Sequence, residues 1–217
     1  VSSATPPPPA SSTPPADKKP TAPQIIVDDT ACVIDGVRYE FAQPDPRGRI
    51  AGGLAGKVKE GQALEVVIMR DTKAPKVGHV MSGLHKAKVA EIMVHTQKRD
   101  GKTGDLSMAI APARHECSVV AHIGKDNATN VWTLAGGTAN RFAKGMAGPD
   151  NTLASDGIRK ASEKCDSGVW YVALDESHTW AKAFDLALTA KDGPLKPTQV
   201  VYLPDPPVPG RKVADPE

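Results

Sequence analysis

The most informative segment of this 217-residue chain is LEVVIMRDTKAPKVGHVMSGLHKAKVAEIMV, residues 64–94. It opens with an apolar run from Leu64 to Met69, interrupted only by Glu65, and such a run predicts a strand in the centre of a sheet. A polar loop at residues 70–75 separates this strand from apolar residues spaced three or four positions apart, which predict an amphipathic helix. Alternating residues at 92–96 predict the next strand. The helix stripe consists of Val77, Val80, Met81 and Leu84.

The residues on either side extend this strand–helix–strand pattern into a small α+β unit. Upstream, short apolar runs at 25–27 and 31–34 precede Asp35-Gly36, a dipeptide that favours a two-residue hairpin turn. Asp45-Pro46 predicts the start of a helix, because proline is well suited to the first helical turn. Downstream, the apolar run 106–110 predicts a closing strand. The predicted order over residues 24–111 is therefore β-β-α-β-α-β-β.

Residues 112–203 repeat this order. A hairpin is predicted at 118–134, a Gly-rich connection at 136–149, a central strand at 168–174 and a last strand at 199–203. A repeat of this length indicates a duplicated domain rather than a solenoid, whose periods run ~20–50 residues. The predicted fold class is α+β, with two tandem two-layer sandwiches at 24–111 and 112–203, each β-β-α-β-α-β with an optional further strand. An offset of 103 residues places Val77, Val80, Met81 and Leu84 on Trp180, Ala183, Phe184 and Ala187.

Proline-rich segments flank these two units. Residues 1–23 contain eight prolines among Ser, Thr and Ala, a composition that cannot bury enough apolar surface to offset the entropy of ordering. We therefore expect 1–23 to be a disordered linker of polyproline II character. The proline-rich tail at 204–217 is expected to be disordered from about residue 205 onward.

The two units are predicted to pack against each other as a pseudo-twofold pair. Only a short connection, residues 111–116, joins them, so their effective mutual concentration is high. Each predicted sheet has an edge strand with unpaired backbone groups, and such edges are usually covered or paired with another strand. The apolar segment 106–110 could pair in this way, and it leads directly into the second unit. The alternative is two independent units on a short tether, because interfaces within a chain are often modest and polar.

Composition excludes some partner classes. Formal charge is nearly balanced, with 27 Lys and Arg against 25 Asp and Glu, so no basic surface points to a nucleic-acid partner. No apolar run reaches the ~18 residues of a membrane-spanning helix. The three cysteines match no zinc or redox motif. They are interpreted either as three buried small side chains or as a Cys117–Cys165 disulfide with Cys32 left free.

A search for enzyme chemistry predicts no catalytic, cofactor-binding or metal-binding residue. Gly101-Lys102-Thr103 lacks the first glycine of a phosphate-binding loop. His115 and Cys117 share a strand face that His122 does not, and His79 and His85 lie on different faces of one helix. The acidic pairs Asp28-Asp29 and Asp175-Glu176 are interpreted as solvated charges at strand ends. An enzyme whose site is assembled only in three dimensions stays as a minor alternative.

The segment 66–94 resembles the periplasmic domain of the ExbD/TolR biopolymer-transport proteins. The resemblance rests on a strand that ends at Arg70-Asp71, a loop containing Pro75, and a Val-Met-x-x-Leu-x-x-Ala helix from Val80 to Ala87 before a short strand. A weaker second copy spans 169–175, 180–190 and 200–202. Lys88 stands where the family tends to have glycine, and the duplication itself departs from the family.

This resemblance implies a role at a bacterial envelope. The chain would be the periplasmic portion of a subunit in a transport or motor complex driven by the proton motive force, tethered to the inner membrane by a segment absent from this sequence. The implied partners are an ExbB/TolQ/MotA-like channel subunit, reached through that missing transmembrane helix, and peptidoglycan or a TonB-like protein. The alternative is a periplasmic or lipid-anchored binding module without a proton-channel role.

Overall fold

The computed structural model describes residues 22–110, 117–135, 138–143, 151–163, 165, 169–191 and 199–212. Within them the chain is an α+β protein with two mixed sheets and four helices. The first unit runs through strands β1 (Ile25–Val27), β2 (Ala31–Ile34) and β3 (Val37–Glu40), helix α1 (Pro46–Leu54), strand β4 (Leu64–Ile68), helix α2 (Ala74–Lys86), and strands β5 (Glu91–Gln97) and β6 (Thr103–Ala109). The second runs through β7 (Cys117–Ile123), β8 (Thr129–Ala135), β9 (Thr138–Ala143), α3 (Asn151–Ser162), β10 (Val169–Leu174), α4 (Trp180–Lys191) and β11 (Gln199–Leu203).

The first sheet has six strands in the order β3-β2-β1-β4-β5-β6. Its centre is parallel, since β4 pairs in parallel with both β1 and β5, while the outer pairs are antiparallel. The predicted hairpin turn between β2 and β3 is confirmed, because Asp35 and Gly36 both have positive φ, 50° and 81°. The predicted start of α1 is also confirmed, with Asp45 capping the helix and Pro46 as its first residue.

The second sheet has five strands in the order β11-β10-β7-β8-β9, which is the order of the first sheet without its last strand. Each unit therefore has three strands before its first helix, so the predicted order with two is wrong, although the alternation of Val37, Tyr39 and Phe41 with polar residues does predict the third strand of the first unit, β3. In the second unit the missed strand is β9, which lies within the stretch predicted to be a Gly-rich connection. An edge strand is specified by pairing with its neighbour rather than by an alternating core pattern, and β9 pairs only with β8 among the strands.

The C-terminal tail crosses the second sheet from the β11 edge to the β9 edge. Gly210 donates a backbone hydrogen bond to the Ala139 carbonyl at 2.9 Å, and the Ala139 amide donates to Arg211 at 3.0 Å. Pro207, between these two edges, is buried. The prediction of disorder from residue 205 is therefore wrong for 205–212, because extended chain that retains its N–H groups can pair with a strand edge.

Most of the other predictions about the flanking and connecting segments concern residues that the structure does not describe. The predicted linker at residues 1–21 lies outside the described residues, as do the inter-unit connection 111–116 and the tail after 212. Pro23, predicted to belong to the linker, is buried just before β1.

The two units contact each other through reciprocal backbone hydrogen bonds. The Ala74 amide donates to the His178 carbonyl at 2.9 Å, and the Trp180 amide donates to the Thr72 carbonyl at 2.8 Å. Between these bonds, Lys73 and Thr179 form an isolated antiparallel bridge. Each residue of the first unit in this set is matched by the residue 106 positions later, the separation of the helix starts Ala74 and Trp180. This reciprocity is what a twofold axis between the units produces.

The offset of 106 corrects the 103 inferred from the apolar pattern. The β-ladder agrees with it, because β1 ends opposite Ile68 and β7 ends opposite Leu174. A slip of three residues along a helix still places apolar residues on apolar residues, since the stripe recurs every three or four positions. Only backbone contacts distinguish the two offsets.

Side chains of both units share one hydrophobic core. Leu84 and Val94 of the first unit belong to the same buried cluster as Val172 and Phe184 of the second. A smaller cluster joins Ala109 of β6 to the second sheet. The predicted packing of the units against each other is thus present in the structure, and the tethered, independent arrangement is not.

The second unit is also closed by a disulfide. Cys117 at the start of β7 is bonded to Cys165, ahead of β10, with 5.1 Å between their Cα atoms. Cys32 is a free, buried thiol, and burial raises its pKa to about 12.

Candidate functional site

A cavity of about 330 Å³ lies between the units, beside the axis that relates them. From the first unit, α1 contributes one side chain and the first turns of α2 contribute the rest. The second unit contributes the residues that follow β10 and β11. The carboxyl ends of parallel strands are a common location for ligand sites in sheets of this kind. The first-unit lining consists of Arg47, Ala74, Pro75, Gly78 and His79.

Arg47 and His79 form the basic wall of the cavity. Arg47 Nε donates to His79 Nδ1 at 3.4 Å, so these two side chains orient each other across α1 and α2. Burial lowers the pKa of His79, and the positive charges of Arg47 and Lys76 lower it further. The imidazole is therefore held neutral, and the charge of this wall comes from the Arg47 guanidinium.

The opposite wall is acidic. Its charged residues are Asp175 and Glu176, which follow β10, and Asp205, which follows β11. Asp175 Oδ1 accepts hydrogen bonds from Ser177 N at 3.0 Å and from Ser177 Oγ at 2.6 Å. The Ser177 hydroxyl and amide hold the pKa of this carboxyl below its usual range. The apolar part of the wall consists of Leu174, Pro204 and Pro206.

The charges of the two walls have few protein partners. Among the described residues, no salt bridge joins Arg47, Glu176 or Asp205 to an opposite charge. Glu176 and Asp205 are both exposed at the cavity. The site therefore presents one cationic group facing carboxylates across a space that no side chain fills.

Equivalent positions on the other side of the axis are filled. At the offset of 106 residues, Trp180 takes the place of Ala74 and Phe184 takes the place of Gly78, whereas Thr96 takes the place of Tyr202, whose buried hydroxyl donates to the Ala74 carbonyl at 3.1 Å. Trp180 is fully buried and its Nε1 donates to Thr96 Oγ1 at 2.9 Å. We call the cavity with Ala74 and Gly78 the open end of the inter-unit contact, and the region of Trp180 and Phe184 the filled end.

The charged positions differ in the same way. Arg70 and Asp185 at the filled end are equivalent to Glu176 and His79 at the open end. Arg70 binds Asp185 through two hydrogen bonds of 3.0 and 2.9 Å, and Arg99 Nε adds a third at 2.9 Å. The filled end thus neutralises its own charges, whereas the open end leaves them facing solvent.

The structure separates the histidines and acidic pairs considered from sequence. Of the two α2 histidines only His79 lines the cavity, and the Asp175-Glu176 pair lies across from it. The Asp28-Asp29 pair has structural contacts instead: Asp28 Oδ1 accepts from Ala31 N at 2.8 Å, and Asp29 Oδ1 accepts from Lys73 N at 2.9 Å.

His115, Cys117 and His122 were considered as metal ligands from the sequence and rejected, and the structure describes two of them. Cys117 is in the disulfide, and His115 lies outside the described residues. Within the described ranges, no group of three His, Cys, Asp or Glu side chains is arranged to hold a metal ion. In the same ranges, no helix is long and apolar enough to span a membrane.

Sequence reasoning missed the residues that open the cavity. Ala74 and Gly78 have small side chains without functional groups, and Arg47 lies in a helix of which the sequence analysis predicted only the start, at Asp45-Pro46. Comparison of the two halves at the correct offset aligns Ala74 and Gly78 with Trp180 and Phe184, but it also aligns Thr96 with the buried Tyr202, so side-chain size alone would not have located the site. No family model, curated protein or solved structure matches the chain.

Proposed function

We propose that this chain is the periplasmic, partner-binding portion of an ExbD/TolR-like subunit in an envelope complex driven by the proton motive force. The observation that carries the proposal is the reciprocal contact between the units at Lys73 and Thr179. The ExbD/TolR proteins usually have a single such domain and dimerise through it. In this chain, two units with the same order of helices and strands are paired within one molecule. The strand–loop–helix–strand segment on which the resemblance rests, residues 66–94, includes Lys73 of this contact.

The inter-unit contact suits a part that transmits force. Arg70, Asp185 and the buried Trp180 join the units through oriented hydrogen bonds rather than through apolar packing alone. Bidentate guanidinium–carboxylate pairs resist sliding, because both partners lose hydrogen bonds when the geometry changes. A rigid pair of units can pass movement from a membrane channel to a partner in the envelope, the implied partner being peptidoglycan or a TonB-like protein.

The test is to isolate the product of the complete gene, carrying an affinity tag, from membranes of its native host. We expect an ExbB/TolQ/MotA-like protein with several transmembrane helices to co-purify. An unrelated membrane protein with the same tag is the control. Recovery of the chain without any such protein would contradict the proposal.

A second measurement addresses coupling. A photo-crosslinking residue is placed at Met93, 36% exposed on the first sheet, and in a separate variant at Val37, 51% exposed on the edge strand β3. We expect crosslinks from one of these positions to change when a protonophore collapses the proton gradient. Crosslinks that are identical with and without the protonophore at both positions would count against a motor role.

The second candidate is an envelope binding module without a proton-channel role. The open end of the inter-unit contact favours it, because unpaired charges around a cavity are typical of a ligand site. This candidate expects a lipid-modified cysteine or a soluble product and no channel subunit in the same purification.

A further inference from the structure

We propose that the open end of the inter-unit contact binds a small zwitterion, a free amino acid or a dipeptide, with its carboxylate at Arg47 and its ammonium group at Glu176 and Asp205. This assigns a ligand class to the cavity and does not depend on the motor role proposed above.

The size of the cavity sets the first limit. Its volume of about 330 Å³ lies at the lower end of the range for ligand sites, ~300–1,000 Å³. A ligand of this size has room for two charged ends and a short apolar body. Leu174, Pro204 and Pro206 supply apolar surface for that body.

The basic wall supplies the carboxylate site. A guanidinium group has five N–H donors, and Arg47 uses one of them toward His79. The remaining donors suit a planar carboxylate, which accepts two of them side by side. Because His79 is neutral, it orients the guanidinium without adding a second positive charge to the wall.

The acidic wall supplies the ammonium site. Glu176 and Asp205 follow two neighbouring parallel strands, β10 and β11, so both lie at the same edge of the second sheet and line the cavity. Asp175 is oriented beside them by Ser177. An ammonium group has three donors and can bind to either of these carboxylates.

The filled end supports the assignment, because at the equivalent place in the fold the protein's own side chains occupy the space and carry the charges. There the aromatic rings of Trp180 and Phe184 pack together, and the Asp185 carboxylate is bound by two guanidinium groups, those of Arg70 and Arg99. Ala74, Gly78 and the unpaired charges of the open end leave an apolar space bounded by opposite charges. A zwitterion would supply an apolar body for that space and a charged group for each wall.

Other ligand classes fit the walls less well. A simple anion would meet carboxylates on the far side of the cavity, where like charges repel. A divalent cation would need a converging set of ligands, and the described residues contain no such set. A purely apolar ligand would leave Arg47 desolvated without a partner, which costs free energy.

The experiment is isothermal titration calorimetry of the whole chain with the dipeptide Ala-Ala at pH 7.5. Two matched probes each lack one charge: N-acetyl-Ala-Ala has no ammonium group, and Ala-Ala-amide has no carboxylate. We expect Ala-Ala to bind and each blocked dipeptide to bind at least tenfold more weakly. Absence of measurable Ala-Ala binding at 10 mM, or equal binding of all three probes, would overturn the proposal.

Variants assign the two charges to the two walls. Arg47→Gln should weaken Ala-Ala at least tenfold yet leave the already weak Ala-Ala-amide unchanged. The double variant with Glu176→Gln and Asp205→Asn should also weaken Ala-Ala at least tenfold. It should leave the already weak binding of N-acetyl-Ala-Ala unchanged. Glu60→Gln, in an exposed pair with Lys88, is the control and should bind like the parent chain. Loss of binding in the control, or full binding by Arg47→Gln, would contradict the assignment.

A last variant uses the comparison between the ends. Ala74→Trp places at the open end the residue that occupies the filled end, and it should abolish Ala-Ala binding. Circular dichroism checks that this variant is folded; Gly78→Leu serves the same purpose if it is not, because a Cβ at Gly78 would meet only Pro204, at 3.4 Å. Dipeptide binding by a folded, filled variant would show that the ligand lies elsewhere. Failure of dipeptide binding would leave the co-purification test unaffected.

Discussion

At the filled end of the inter-unit contact, Trp180 and Phe184 are fully buried, whereas at the open end the equivalent Ala74 and Gly78 line a cavity. Both ends have the same backbone arrangement, as the reciprocal hydrogen bonds of Ala74 and Trp180 show. The difference lies in side-chain volume and charge. A duplicated fold can therefore assign stability to one end and leave the other available for binding.

The largest expected effect comes from emptying the filled end. Trp180→Ala removes a fully buried indole and leaves Thr96 Oγ1 without its donor, so we expect a loss of about 3–5 kcal/mol in the free energy of unfolding. Urea denaturation measures it. The matched change at the open end, Ala74→Gly, should cost roughly 1 kcal/mol, mainly through helix propensity. Equal losses at the two positions would contradict the division between a filled and an open end.

The disulfide provides the next effect, and only the second unit has one. Replacing both Cys117 and Cys165 by Ser should lower the free energy of unfolding by about 2–4 kcal/mol, because the bond closes a loop across a sequence separation of 48 residues. Cys32→Ser is the control for the chemical change, although it buries a hydroxyl in the first unit. In the unreduced, denatured parent chain, a thiol reagent should modify a single cysteine. Modification of three would show that the bond is absent.

The ion pair at the filled end should contribute less. Arg70→Met leaves Asp185, whose side chain is 15% exposed, with only Arg99 as a partner, and we expect a loss of about 1–2 kcal/mol. Glu60→Gln removes an exposed ion pair and should change stability by less than about 1 kcal/mol. Urea denaturation of both variants at low and high salt tests the contrast. A loss for Arg70→Met no larger than for Glu60→Gln would remove the argument that this contact is rigid.

The smallest effect is a pH dependence at the open end. The pKa of His79 is lowered, so the unfolded chain binds a proton more readily than the folded chain does as pH falls below about 6.5. Stability from this residue is therefore complete above that pH and decreases as the solution becomes more acidic. The charged groups around His79 are Arg47 on α1, Lys76 on α2, and the three carboxylates of the acidic wall.

His79→Gln isolates this contribution from those of the other histidines. The stability difference between parent and variant, measured by urea denaturation, should shift in favour of the parent between pH 5.5 and 7.5. A difference that is constant with pH, or that shifts in favour of the variant, would mean that the folded chain does not disfavour the protonated imidazole.

Local sequence patterns were enough to predict much of each unit. The apolar run before Arg70 predicts the central strand β4, and the stripe from Val77 to Leu84 predicts α2. Asp35-Gly36 and Asp45-Pro46 predict a turn and a helix start, because the backbone angles they favour belong to those positions. The duplication was visible in the same way, as two copies of one order of elements.

The tertiary structure decided the features that join distant residues. The edge strand β9 and the tail at 205–212 are held by backbone pairing, which leaves no periodic pattern in the sequence. The offset of 106 appears in the backbone contacts of Lys73 with Thr179 and in the pairing of the central strands, since a helical stripe tolerates a slip of three residues. The cavity is lined by Ala74 and Gly78, whose side chains are smaller than those of the equivalent Trp180 and Phe184. Sequence alone determined the local elements because their causes act over a few residues, and the site awaited the fold because its walls come from both units.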